Sequence, residues 1–129
     1  HRRDRWADHR ALHTEVLTSL GHPPPTEQQL LVHAYGARYF VHPPDPASIR
    51  AFRAWLDHLE RWAMRAGTLP MEQVRQRLHA AWEDLYHYLP EHGPSLVWAY
   101  WRSGGRITLR RAYYACRVWA QRTPKHSAP

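Results

Sequence analysis

The 129-residue chain has one cysteine, one lysine and two phenylalanines, and no acidic residue after Glu91. Each scarcity excludes something. A lone thiol, Cys116, excludes an internal disulfide and a cysteine-based zinc site. Its spacing in a predicted helix puts it on the apolar side, as a small hydrophobe. The lone lysine, Lys125, falls in the C-terminal tail, so no glycine-rich loop ends in the lysine that a phosphate-cradling loop needs. No apolar run approaches the roughly 20 residues of a membrane-spanning helix, and no signal-peptide core is visible. A cytoplasmic protein without a membrane partner is therefore expected.

The missing acids are the most informative absence. Residues 1–91 hold eleven arginines and all eleven carboxylates, so their formal charges cancel. Residues 92–129 hold Arg102, Arg106, Arg110, Arg111, Arg117, Arg122 and Lys125 with no acid, so the whole formal charge of +7 lies there. A preference for arginine over lysine can come from base composition. That habit does not explain why the acids stop. The same segment carries Trp98, Tyr100, Trp101, Tyr113, Tyr114 and Trp119. A one-signed stretch of arginine and large rings on a neutral body is the footprint of a polyanion binder.

Proline and glycine divide the chain into helical lengths. Residues 5–20 place Trp6, His9, Leu12/His13, Val16/Leu17 and Leu20 at spacings of three and four, up to Gly21 and Pro23-Pro24-Pro25. Thr26 with Gln29 fits a capping box for a second helix over 27–41, burying Leu30, Leu31, Ala34, Tyr35 and Phe40. Asp45-Pro46 starts a third, with Ile49, Phe52, Leu56, Leu59, Ala63 and Ala66 on one face and Gly67 as its stop. A fourth, over 70–89, turns Val74, Leu78, Trp82, Leu85 and Leu89 inward. Residues 96–101 are apolar throughout, so periodicity does not separate helix from strand there.

The fold expected is all-α: a compact bundle of five or six short helices with a C-terminal helix-turn-helix-like pair, 95–102 and 108–121, around Ser103-Gly104-Gly105. A β-hairpin over 96–112 is the alternative, since Gly-Gly also marks hairpins. Residues 1–122 form one helical domain, neutral to 91 and basic and aromatic-rich over 92–122. Residues 123–129 form a flexible tail.

Within the pair, Leu109 and Ala112 are expected to face the core. That leaves Arg110, Tyr114, Arg117 and Gln121 on one exposed face, with Arg102, Arg106, Arg111 and Arg122 beside it. Arginine forks suit phosphates and guanine edges, and tyrosine adds stacking or phosphate contacts. Trp98, Trp101 and Trp119 are assigned to the core, holding the angle between the two helices, and Tyr114 is the ring expected outside. The expected function is non-enzymatic nucleic-acid binding, with duplex DNA favoured over a single strand or RNA, in a small regulator or a replication or mobile-element accessory protein. The alternative is a protein-binding adaptor or inhibitor that meets an acidic partner with its Trp/Tyr/Arg surface.

No catalytic residues, cofactor or metal are expected. His9 and His13 have a chelating i,i+4 spacing, and Asp84 with His87 gives one carboxylate–imidazole pair. A metal bundle needs such pairs from several helices. Adjacent Glu83 and Asp84 point about a hundred degrees apart on a helix, a poor acid/base pair.

Overall fold

A computed structural model describes residues 2–122, with side-chain surroundings for 5–121. Arg122's side chain and the 123–129 tail, both part of the sequence expectations, lie outside the described parts. Six α-helices follow in order: α1 Arg2–Ser19, α2 Glu27–His33, α3 Pro46–Ala66, α4 Met71–Leu85, α5 Pro94–Arg102 and α6 Leu109–Arg122. Short 3₁₀ turns fill Ala34–Ala37, Tyr86–Tyr88 and Pro90–His92, and the described residues contain no strand. The bundle is all-α, and its C-terminal end is a helix, a turn over 103–108 and a helix. The hairpin is not found.

The long amphipathic α3 is the axis against which α2, α4 and α5 pack. Its start is fixed locally. The Asp45 carboxylate accepts from the Ser48 amide at 2.7 Å, and the Ser48 hydroxyl accepts from the Asp45 amide at 2.8 Å. Pro46 follows with its φ already helical. Gly67 ends the helix at φ 69°, a left-handed position that glycine adopts without a Cβ penalty. Ile49, Phe52, Trp55, Leu56, Leu59 and Ala63 are buried from α3. They meet Trp82 and Leu85 from α4, Leu89 from the turns, and Leu96, Ala99 and Tyr100 from α5.

The Thr26/Gln29 capping box forms at α2 as expected, with bonds of 2.9 and 3.1 Å. The helix is shorter than its apolar pattern suggested. It tightens at Ala34 and closes at Arg38, which takes the left-handed conformation (φ 61°) while the Tyr39 amide donates to the Ala34 carbonyl. Residues to 41 were expected to continue the helix. Instead this closure turns the chain toward Pro43-Pro44. In α1, Leu17 is buried, but Leu12, Val16 and Leu20 are 44–56% exposed. Besides Leu17, its contacts with the body include aromatic neighbours, Trp6 and His9 beside Tyr39 and His13 edge-on to His33, and an Arg10–Glu27 ion pair. The fourth helix ends at Leu85, not Leu89, because the chain breaks into the two 3₁₀ turns before Pro94.

Candidate nucleic-acid interface

The register of α6 decides which of its side chains meet solvent. Arg111, Ala112, Tyr114, Ala115, Val118 and Trp119 are buried or half-buried, at offsets of one, three, four, seven and eight. This stripe packs on the Pro90–His92 turn and the end of α4. The Trp119 indole N–H donates to the Pro90 carbonyl at 2.9 Å, and the Tyr114 hydroxyl donates to the His87 carbonyl at 3.0 Å, with its ring stacked on the His87 imidazole. The exposed stripe is therefore Arg110, Tyr113, Arg117 and Gln121, with Cys116 beside it.

Several expectations need correction on this point. Leu109 is 91% exposed, not core, and Cys116 faces solvent. Tyr113, 65% exposed, is the outward ring in place of Tyr114, and the Arg117 guanidinium lies over it at 5.9 Å. Trp98 and Trp101 are not core: they are 59% and 49% exposed, with their rings 5.1 Å apart. Only Trp119 of the three tryptophans binds elements together.

Arg111 is the other correction. The charge pattern predicts it among the ligand-binding arginines, yet it points into the bundle. Its guanidinium donates to the Glu83 carboxylate at 2.6 Å, the Glu83 carbonyl at 3.2 Å, the Arg106 carbonyl at 2.7 Å and the Tyr100 hydroxyl at 3.2 Å. It also lies over the Tyr86 ring at 5.0 Å. Burial pushes the Tyr100 phenol up to about 12, so at neutral pH it is an uncharged hydroxyl. It accepts from Arg111 while donating to the Trp82 carbonyl at 3.2 Å. Arg111 is a rivet between α4, α5 and α6.

The remaining described cations of this end behave differently. Arg102, Arg106, Arg110 and Arg117 are exposed, and none of them forms an ion pair among the described residues. Arg102 lies 5.8 Å over the Trp98 ring. Of the acids that could have neutralised them, Glu83 is taken by Arg111, Asp57 by Arg53, Glu60 by Arg75 and Asp84 by Arg38. Arg110 and Gln121 sit near opposite ends of the α6 face, with Arg106 on the turn before it.

Comparison with protein families, curated proteins and solved structures finds no match.

The turn before α6 is set by close packing. Gly105 passes over the Tyr100 ring, which a Cβ there would overlap, and its amide donates to the Tyr100 carbonyl at 2.9 Å. Thr108 then caps α6 by accepting from the Arg111 amide at 3.1 Å. Sequence reasoning missed Arg50 as part of this basic surface, because it lies in the neutral part of the chain; Arg38, also from that part, is paired with Asp84. Arg38 shares a cleft of about 530 Å³ with Arg110. Arg50 flanks Trp98.

The histidines do not assemble into a ligand set: among the described residues, no three or more His, Cys, Asp or Glu side chains converge on a possible metal position. His9 and His13 stack on each other, and His87 is engaged by Tyr114. No described helix is long and apolar enough to cross a membrane.

Proposed function

We propose that this domain binds nucleic acid, without catalysing a reaction on it, through the solvent face of α6 and the arginines around it. One observation carries the reading: Arg102, Arg106, Arg110 and Arg117 are exposed and form no ion pair among the described residues, and Tyr113 and Gln121 are exposed beside Arg110 and Arg117 on α6. Exposed cations without acidic partners attract phosphates and release their counterions, which is the dominant sequence-independent term in nucleic-acid affinity. Tyrosine and glutamine supply adaptable contacts beside them. Phosphates are common to duplex DNA, single strands and RNA, so the α6 face serves any of them. A small regulator or a replication or mobile-element accessory protein would use such a surface.

The test is the double variant Arg110→Ala/Arg117→Ala against a fluorescent DNA. Binding should weaken by about 2 kcal/mol, roughly thirtyfold. Melting should stay nearly unchanged, because exposed charges contribute little to stability. Unfolding of that variant, or undiminished binding, would remove the assignment. A second reading, an adaptor for an acidic protein, draws support from the exposed Trp98–Trp101 pair, since Trp, Tyr and Arg lead the energetics of protein interfaces.

A further inference from the structure

The exposed Trp98 of α5 borders a groove of about 480 Å³ between that helix and the start of α3, and the Trp101 ring lies 5.1 Å from it. Trp98 forms one wall, Pro46 lies on the α3 side, Ser95 and Ser103 offer hydroxyls, and Arg50 and Arg102 flank the opening. No acid lines it. The nearest carboxylate in sequence, Asp45, is engaged by the Ser48 amide at 2.7 Å. Arg50 and Arg102 make no ion pair among the described residues, so the groove carries two uncompensated cations around an aromatic wall.

We infer that this groove is a base-stacking site for unpaired nucleotides, which makes a single-stranded nucleic acid, or a duplex carrying an unpaired stretch, the preferred ligand. The inference rests on the nucleic-acid reading and narrows it. A duplex hides its base faces in its own stack and shows only edges and phosphates. Trp98 and Trp101 are about half exposed, their ring planes tilted 42° to each other, and such aromatic surface is not what edges and phosphates use. An unpaired strand offers a π-face at every base, and arginines beside the rings hold its phosphates. The pairing of guanidinium with ring recurs on the same end of the molecule, Arg102 over Trp98 and Arg117 over Tyr113, at 5.8 and 5.9 Å. The volume is that of a small-ligand site, enough to admit a nucleotide. Arg50 reaches this surface from α3, outside the segment that holds the net charge, and extends the phosphate path beyond α6.

The experiment compares the full chain with the variants Trp98→Ala/Trp101→Ala, Arg50→Ala and Arg110→Ala/Arg117→Ala. The probes are a fluorescein-labelled oligothymidylate of about 15 nucleotides, a length that covers common single-strand site sizes, and the same oligomer annealed to its complement. Anisotropy gives affinity, and quenching of tryptophan emission reports stacking. The unpaired strand is expected to bind more tightly than the duplex and to quench emission. The tryptophan double variant should lose roughly tenfold to a hundredfold in affinity for the strand, the range for one stacked base, while its duplex affinity changes by less than about twofold. Arg50→Ala should weaken the strand selectively as well. Both rings are about half exposed, so melting should hold.

If the tryptophan variant binds the strand as the parent does, while the α6 arginine variant loses binding to both probes, the stacking site is overturned and the nucleic-acid reading survives. If the duplex binds more tightly than the strand, the inference fails in the same way. If the parent binds neither probe at low salt, the nucleic-acid reading fails and this inference falls with it, leaving a protein partner for the Trp98–Trp101 surface.

Discussion

Replacing Arg111 by alanine should destabilise the domain, whereas the same change one residue earlier should not. The Arg111 side chain is 20% exposed and its partner Glu83 27%. Four hydrogen bonds run from its guanidinium to groups on α4, α5 and the turn before α6. Removing one member of a fully buried ion pair costs about 3–5 kcal/mol, because the other charge is left unmet. Water still reaches this pair, which reduces the figure to about 2–3 kcal/mol. For a domain of this size a kilocalorie corresponds to about 4 °C, so Arg111→Ala should melt roughly 8–12 °C below the parent by far-UV circular dichroism. Arg110→Ala should stay within about 2 °C. Glu83→Gln should lower the parent's melting point and have a much smaller effect when Arg111 is already alanine, since both changes remove one interaction. Equal melting of Arg111→Ala and Arg110→Ala, or full additivity with Glu83→Gln, would refute the inward register of α6.

Gly105→Ala should cost about 2–3 kcal/mol or more in denaturant unfolding, because its new methyl overlaps the buried Tyr100 ring; a neutral result would mean the turn is free to move. Trp55→Ala should cost about 3–5 kcal/mol, since the ring is buried and its N–H donates to His33 Nδ1 at 2.9 Å. Stability should also fall with acid. Burial, with smaller contributions from His13 and His22, lowers the His33 pKa from 6.5 to about 4, so the unfolded chain binds the extra proton between those values. The stabilisation is complete above 6.5 and is lost as pH falls to about 4, by about 3 kcal/mol at most. His33→Gln, which keeps an acceptor for Trp55, should flatten this part of the pH–stability curve, and an unchanged curve would place the dependence elsewhere.

The helices of the body were legible because their signals are local. Thr26/Gln29 and Asp45-Pro46 each fix a start through hydrogen bonds within four residues, and the apolar face of α3 repeats cleanly to Gly67. The C-terminal register was not. Over 109–120, α6 carries apolar residues on most sides, so two stripes fit equally well: Leu109, Ala112/Tyr113, Cys116 and Trp119/Ala120, or Arg111, Ala115 and Val118/Trp119. Treating every arginine as solvent-facing selects the first. The second wins because Glu83, on a different helix, and the Tyr100 hydroxyl await Arg111 inside the bundle. A partner 28 residues away leaves no trace in a window the length of one helix. The same limit placed Trp98 and Trp101 inside: large rings at helical spacing look like core until Leu96, Ala99 and Tyr100 are seen to be the buried residues of α5. Of the candidate site, Arg102, Arg106, Arg110, Arg117 and Gln121 remain on the surface as read.

The salt dependence of binding tests the central claim most directly, because it counts the cations that meet phosphates. Affinity for labelled duplex and for the single strand would be measured over a salt series and plotted on logarithmic axes. If Arg102, Arg106, Arg110 and Arg117 each neutralise one phosphate, the slope should be about −3.6 on duplex DNA, and with Arg50 joining them it should be about −3.5 on a single strand. In the Arg110→Ala/Arg117→Ala variant the duplex slope should fall to about half of that. A slope near zero, or no binding at low salt, would contradict the account and leave the basic end as a surface for an acidic protein.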